Sequence, residues 1–169
     1  MSPLIERYYC ALFETDTKVL LSYHTFSSID KADMLSKILN SERRDREFRT
    51  SHVGIHRDDY TFSLNGELVQ NMASQGQKRM LMLAFKLAIV DAITSLKKET
   101  PILCLDDLFS ELDERRRHLV FKLLPMHLQV MITTTDRSFV EGVKNATYYR
   151  VDRGTVEREA SYGTNESRS

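Results

Sequence analysis

Two short polar groups in this sequence have residue types and spacing that suit nucleotide chemistry. The first, Ser74-Gln75-Gly76-Gln77, comes directly before a long apolar run that reads as a helix. A hydroxyl, a glycine that lets backbone approach closely, and the free N–H groups of a helix N-terminus together make a site suited to phosphate. The same residues are as typical of an ordinary helix cap, so both interpretations stay open from these residues alone.

The second group is Asp106-Asp107, which follows the apolar run PILCL at residues 101–105. A short continuous apolar run is typical of a parallel strand covered on both faces. Open α/β sheets bind ligands at the carboxyl ends of such strands, where one carboxylate can hold Mg²⁺ while its neighbour positions a water molecule. Alone, the pair is more typical of a solvated strand end; together with the first group it favours a functional site.

Two further groups carry weaker signals. The hydroxyls of Thr133-Thr134-Thr135-Asp136, at the end of another apolar run, could reach a terminal phosphate, although β-propensity alone also places threonines there. His52 and His56, with Asp58-Asp59, have metal-ligating side chains, but Gly54 interrupts the helix that would put both imidazoles on one face. We expect instead that Arg57 pairs with the two aspartates and supports a turn.

The elements that position these groups follow from the spacing of apolar residues. Helices are predicted over residues 2–13, 30–48, 78–97, 114–124 and 138–143. Strands are predicted over residues 18–25, 50–55, 60–64, 67–70, 101–105, 129–133, 148–151 and 155–158. The first helix is expected to be capped by Ser2 ahead of Pro3, and helix 78–97 to be buried on nearly every face.

Strands that alternate with helices after residue 75 predict an α/β fold, with a mostly parallel sheet, flanking helices and antiparallel hairpins. Turns are predicted at Asn65-Gly66 and at residues 152–154. We expect one domain over residues 1–160, with a lead-in at 1–49 and the motifs at 50–160, followed by a flexible tail at 161–169.

Composition limits the partners. Lys plus Arg and Asp plus Glu each number 24 among 169 residues, so no global positive field attracts nucleic acid and a local patch would be required. Two arginine clusters are available, although such runs are usually solvated helix faces: Arg43, Arg44, Arg46 and Arg49, and Arg115, Arg116 and Arg117. The two cysteines fit no zinc or disulfide spacing, and neither a membrane span nor a secretory signal is apparent, so a cytoplasmic protein without a membrane partner is expected.

In chain order, these motifs resemble those of the ABC ATPases. Residues 73–77 resemble the signature motif, residues 102–107 the Walker B strand, residues 110–113 the D-loop and residues 134–136 the switch. Within that superfamily, GIHRDD at residues 54–59, Asn65-Gly66 and the signature residues together resemble the RecF family of bacterial DNA replication and repair proteins. The resemblance extends over residues 2–157 and follows the order of the C-terminal half of a RecF chain.

Several positions depart from the usual ABC pattern. Ile55 stands where proline is expected, Gln75 replaces a glycine, Asp107 replaces the catalytic glutamate and Thr135 replaces a histidine. Gln75 and Asp107 agree with the RecF pattern. A P-loop requires G-x-x-x-x-G-K-[ST], and none of the six glycines forms that pattern, so we expect a fragment of a longer protein that lacks the Walker A half.

The resemblance implies that two heads bind ATP between the P-loop of one and the signature of the other. In that arrangement Asp106 would hold Mg²⁺, while Asp107 and Thr135 would occupy the catalytic positions. Aspartate at position 107 is one methylene shorter than glutamate, which implies slow ATP hydrolysis. The remaining ATP-binding residues would be Ser74, Gln75, Gly76, Gln77, Ser110 and Asp113.

A RecF-like protein would dimerise with ATP, bind single-stranded DNA or its junction with duplex, and help to load recombinase with RecR and RecO in recombinational repair and the SOS response. Two alternatives stay open. The chain could be a non-catalytic half-head that binds protein or DNA, or part of a repair ATPase of the Rad50 or SMC kind. The absence of a heptad run weighs only mildly against the latter.

Overall fold

The computed structural model describes residues 1–27, 30–141, 143 and 145–159; the predicted tail at 161–169 lies outside them. The backbone divides into two compact units, Met1–Thr100 and Pro101–Ser169. Among the described residues, no helix combines the length and the apolar character needed to cross a bilayer.

The first unit packs helices against a small antiparallel sheet. Helix α1 lies on α4, and Tyr9, Leu12, Leu83 and Leu87 are among the side chains buried in this unit. The sheet has the strand order β1-β2-β3, with Val19 opposite Leu64. The elements are α1 (Ser2–Phe13), β1 (Val19–His24), α2 (Lys31–Phe48), β2 (Asp59–Leu64), β3 (Glu67–Leu68), α3 (Val69–Met72) and α4 (Gln75–Lys97).

Helix α1 has the predicted bounds but not the predicted cap. Met1 is the N-cap residue, and the Ser2 hydroxyl instead accepts a hydrogen bond from the backbone N–H of Leu21 in β1 at 3.1 Å. One turn further along, the Glu6 carboxylate accepts from the N–H of Val19 at 2.8 Å. These two N–H groups belong to the outer side of β1, so α1 satisfies backbone donors that β2 does not reach.

The strand predicted at residues 50–55 is wrong. Helix α2 ends at Arg49 in the left-handed conformation, and Gly54 adopts a φ of 148°, which strand residues do not use. A short 3-10 turn, Ile55–Arg57, follows before β2 begins. The polar turn chemistry of this segment therefore prevails over its β-branched residues.

Two other predicted boundaries differ in the first unit. Strand β3 ends at Leu68 rather than residue 70, because Val69 begins the short helix α3 and buries its side chain. Helix α4 begins at Gln75, three residues before the predicted start. Its burial is one-sided rather than complete: Met82 is 43% exposed and Leu96 84% exposed, while the facing side chains of the helix are buried.

The second unit contains a parallel strand pair, a helix and a hairpin: β4 (Leu103–Leu105), α5 (Glu114–Leu123), β5 (Val130–Ile132), β6 (Tyr148–Asp152) and β7 (Thr155–Glu159). Strands β4 and β5 are parallel, and β6 and β7 form an antiparallel pair around the predicted turn. The rings of Phe109 and Phe121 stack at 4.9 Å within this unit. The helix predicted at residues 138–143 is replaced by a 3-10 turn, Arg137–Phe139.

Strand β4 is covered on one face only, which corrects the prediction of two covered faces. Leu103 and Leu105 are buried, whereas Cys104 between them is exposed. Cys104 lies opposite Met131 of β5, which is 58% exposed, and Ile102 beside them is 55% exposed. An apolar strand face is therefore open to solvent in the second unit.

Candidate functional site

The signature residues form the N-terminus of α4 through a reciprocal capping box. The Ser74 hydroxyl accepts from the backbone N–H of Gln77 at 3.2 Å, and the Gln77 side chain accepts from the N–H of Ser74 at 2.8 Å. The cap interpretation is thus correct for Ser74 and Gln77. It does not by itself exclude a phosphate site, because a helix N-terminus has four free N–H groups and the box uses two of them, those of Ser74 and Gln77.

Gly76 lies in the first turn of α4 with no packing reason to be glycine. An added Cβ would have the Ser74 hydroxyl, at 4.0 Å, as its nearest neighbour, which is ordinary contact. Gly76 is exposed and has no positive φ. Within the first unit an alanine would fit here and would favour the helix. The missing side chain therefore leaves space at the helix N-terminus that no residue of this unit fills and that a ligand could occupy.

The acidic pair lies at the carboxyl end of the parallel strand pair, as the sequence predicts. Asp106 directly follows β4, and its carboxylate accepts a hydrogen bond from the Thr133 hydroxyl at the end of β5. The same hydroxyl accepts from the backbone N–H of Asp107 at 3.1 Å. The Thr133 N–H in turn donates to the Leu105 carbonyl at 3.0 Å, which continues the ladder one residue beyond the strands.

The sequence predicts Thr133 only as one of several hydroxyls that could reach a terminal phosphate, and does not predict its contact with the acidic pair. Its side chain joins both aspartates, and the signal that could have found it is the register: with Leu105 opposite Ile132, the residues that follow each strand meet. Asp107 has a φ of 42°, a left-handed conformation that turns the chain away from β4. Both carboxylates are exposed, and together with the Thr133 hydroxyl they form an oxygen-rich edge.

The residues of the D-loop and switch motifs surround this edge with turn contacts. The Ser110 hydroxyl donates to the Asp107 carbonyl at 3.0 Å. Asp113 caps α5 by accepting from the Arg116 N–H at 2.8 Å and pairs with the guanidinium of the same arginine at 2.9 Å. Asp113 is therefore engaged in the fold of its own unit, although its carboxylate, like that of Asp107, is exposed.

The switch segment forms a compact polar turn. The Thr134 hydroxyl donates to the Asp136 carbonyl at 3.0 Å, and the Asp136 carboxylate accepts from the Ser138 N–H at 2.9 Å. Hydrogen bonds from the side chain and the backbone of Ser138 lower the pKa of Asp136, which stays ionised at neutral pH. Thr135, between them, is exposed.

The histidines and aspartates at residues 52–59 do not gather around a common point. His52 donates its ring Nδ1–H to Asp45 at 2.8 Å, while the His56 ring and the Arg57 guanidinium both reach the Ser51 carbonyl. Arg57 thus supports a turn, but through a carbonyl and not through the predicted aspartates. No group of three or more metal-ligating side chains occurs in the described parts of the chain.

Comparison with known proteins identifies relatives over most of this sequence. The chain is 39% identical over 130 residues to the DNA replication and repair protein RecF of Listeria monocytogenes, which covers 76% of this chain and 35% of that protein. It is 41% identical over 149 residues to RecF of Bacillus pumilus, covering 80% and 40%, and 36% identical over 166 residues to RecF of Geobacter sulfurreducens, covering 92% and 46%. No family model matches.

Solved structures give the same result for the fold. The recombination mediator protein RecF, described as RecF-ATPrS in the RecFOR pathway, matches 94% of this chain and 43% of its own with a TM-score of 0.68 and 26% identity. The corresponding RecF-ATP structure matches with a TM-score of 0.65 and 23% identity. The chain thus has the α/β fold of part of an ABC-type ATPase head.

The particular family follows from the relatives: this is a RecF-like chain, and the resemblance inferred from its motifs is confirmed. The chain spans less than half the length of the RecF proteins it matches.

Proposed function

We propose that this chain forms part of an ATP-dependent DNA-binding protein of the RecF type, acting in DNA replication and recombinational repair. The names of the relatives and the nucleotide complexes of the matching structures support this proposal. The single observation that carries it is the edge formed by Asp106, Asp107 and Thr133 at the carboxyl ends of two parallel strands. Ligands of α/β sheets bind at such an edge.

The donor set at this edge fits Mg²⁺, which prefers carboxylate and water oxygens. Asp106 would hold the ion, which would supply charge stabilisation to the nucleotide phosphates when bound. The Thr133 hydroxyl fixes the orientation of the Asp106 carboxylate and the position of the Asp107 backbone. Thr133 therefore fixes the position of the Asp106 carboxylate, which would bind the metal, relative to the backbone of Asp107.

Asp107 would orient the attacking water, and Thr135 would lie at the switch position. Asp107 is exposed and begins a sharp turn, so its carboxylate is available to a substrate. Thr135 has no ionisable group, which removes the proton relay that a histidine would provide. Ser110 and Asp113 would support the nucleotide from the D-loop. Slow hydrolysis is the expected consequence.

The signature residues would serve a nucleotide held by a second copy. In this arrangement Ser74, Gln75, Gly76 and Gln77 present the positive end of the α4 dipole to the γ-phosphate. ATP-dependent homodimerisation would then close the protein on DNA, in its single-stranded or junction form. RecR and RecO would be its protein partners, as the RecFOR pathway named for the matching structure suggests.

A chimera tests the proposal. RecF of Geobacter sulfurreducens with its matching segment replaced by this chain should bind ATP and form an ATP-dependent dimer, measured by nucleotide binding and light scattering. Asp107→Asn should retain binding but trap the dimer, because water activation is lost. The isolated chain is expected to bind ATP poorly.

Asp152→Asn provides the matched control, since Asp152 is an exposed aspartate at a hairpin end of the same unit. It should behave as the unmodified chimera. A chimera that folds but binds no ATP, or an Asp107→Asn chimera that neither slows hydrolysis nor prolongs dimerisation, would refute the proposal and favour a non-catalytic binding module.

A further inference from the structure

The two arginine clusters differ in how many of their side chains have partners in the fold. On α5, Arg116 pairs with Asp113, the Arg117 guanidinium lies 4.4 Å from the centre of the Phe139 ring, and Arg115 is also engaged. On α2, within the part of the chain that the structure describes, the guanidinium groups of Arg43, Arg44 and Arg49 make no hydrogen bond or ion pair. All three arginines of the α5 cluster are thus engaged, whereas on α2 only Arg46 forms an ion pair among the described residues.

The acidic neighbours of the α2 arginines are mostly held by other partners. Glu42 pairs with Arg46 at 2.6 Å. The Asp45 carboxylate accepts from the backbone N–H of His52 at 2.9 Å, from its ring at 2.8 Å and from the Ser41 hydroxyl at 2.9 Å. In the described fold these two acids therefore form no ion pair with Arg43, Arg44 or Arg49, although Asp45 and the exposed Glu47 keep their negative charges nearby.

A further arginine, Arg57, lies near the end of α2 although it belongs to another segment. Arg57 donates through Nε and Nη2 to the Ser51 carbonyl, at 3.1 and 2.9 Å, which brings its charge to the loop three residues beyond Phe48, the last residue of α2. Cations at a helix C-terminus are favoured by the helix dipole, but that effect is confined to the last turn. The helix dipole therefore does not explain the position of Arg43, or that of Arg57, which lies outside the helix.

An exposed aromatic ring lies within the same surface. Phe48 is 60% exposed, follows Arg44 by one helical turn, and meets the His52 ring edge-on at 5.6 Å. His52 is in turn fixed by Asp45, so the phenyl ring is supported on one side and open on the other. Cationic side chains around an open aromatic face are the combination that binds single-stranded nucleic acid, through phosphates and base stacking.

We propose that Arg43, Arg44, Arg49 and Arg57 bind the phosphates of single-stranded DNA and that Phe48 stacks on one of its bases. This surface, the α2 basic surface, assigns a location to the DNA binding of the proposed function and rests on that function. The arginines provide salt-dependent affinity, while Phe48 provides the preference for unpaired over duplex DNA.

The test measures binding of the full chain to a fluorescent oligothymidine by anisotropy at several salt concentrations. Replacing both Arg43 and Arg44 with alanine should weaken binding and reduce the salt slope by about 1.4, since each phosphate contact on a single strand contributes about 0.7. Helical circular dichroism should be unchanged, because neither side chain has a partner in the described fold. Arg150→Ala with Arg158→Ala removes equal charge from the exposed β6–β7 hairpin and should leave binding unaltered.

Phe48→Leu tests the stacking separately. It should weaken oligothymidine binding by about five-fold, the lower end of the range for one stacked base, and leave duplex binding unchanged. Equal losses in the α2 and hairpin variants, or no oligothymidine binding by the chain at low salt, would overturn the assignment. After either of these results, DNA binding by the chimera would still support the proposed function. If neither the chain nor the chimera binds DNA, both the α2 assignment and the proposed function are wrong. Normal DNA binding by the α2 variants would likewise overturn the assignment.

Discussion

Ser74 and Gln77 hold one another in the capping box of α4, so a substitution at either residue changes the helix as well as any ligand site. Ser74→Ala would cost about 1 kcal/mol of stability through the lost cap alone. Loss of nucleotide-dependent behaviour in such a variant would therefore be ambiguous. A substitution at Gly76, in contrast, can affect ligand binding without weakening the helix.

Gly76→Ala should leave the chain as stable as before, or raise its free energy of unfolding by up to about 1 kcal/mol, because alanine favours the helix and meets no close neighbour. In the chimera the same change should weaken ATP-dependent dimerisation, since the new methyl group lies where a phosphate would approach. Urea unfolding and light scattering measure the two effects. Full retention of dimerisation would mean that no ligand approaches this turn.

At the scale of elements, the sequence predicts best where one local pattern is strong. The bounds of α1 and the β6–β7 hairpin follow closely from apolar spacing and turn residues. The acidic pair is predicted because it directly follows an apolar strand, and ligands of parallel sheets bind at the carboxyl ends of the strands. The contact of Thr133 with that pair could not be predicted, because it depends on the register between β4 and β5, which no local pattern specifies.

The segment at residues 50–55 shows the opposite case. Its composition favours a strand, but polar contacts with residues just outside the segment hold it in a turn: Asp45 accepts from the His52 N–H, and Arg57 donates to the Ser51 carbonyl. Gly54 provides the backbone angle that these contacts require. Because the partners lie outside the segment, its own strand propensity could not predict these contacts.

Gly54→Ala should therefore destabilise the first unit by about 1–3 kcal/mol, the usual cost of a side chain in a conformation reserved for glycine. Its Cβ would also lie 2.8 Å from the His56 ring. Gly66→Ala is the matched control: Gly66 has a φ of 89° but nothing within 4 Å of the added atom, so its loss should be smaller. Chemical unfolding compares the two, and an equal loss would show that the His56 contact is unimportant.

At the scale of the whole molecule, the open face of β4 and β5 matters most. Ile102, Cys104 and Met131 form an apolar surface, and the RecF relatives are more than twice as long as the part this chain matches. We expect the remainder of a RecF-like protein to cover this face, because an open apolar strand face gains free energy when it is buried.

Cys104 reports on that covering. Its thiol should react readily with a soluble disulfide reagent in the isolated chain and several-fold more slowly in the chimera. Cys10, half-buried and donating its thiol to the Thr17 carbonyl at 3.3 Å, should react equally in both. Single cysteine-to-serine variants separate the two signals. Unchanged Cys104 reactivity in a folded chimera would show that the rest of the protein leaves this face open.

The contacts between α1 and β1 have a consequence for self-association. Ser2 and Glu6 occupy the outward amides of Leu21 and Val19, so a foreign peptide that tried to extend the sheet beside β1 would find these donors already taken. Cross-β growth needs a row of vacant main-chain donors as its template. Two side chains of one helix thus remove two of the main-chain donors that such a template would need at that strand.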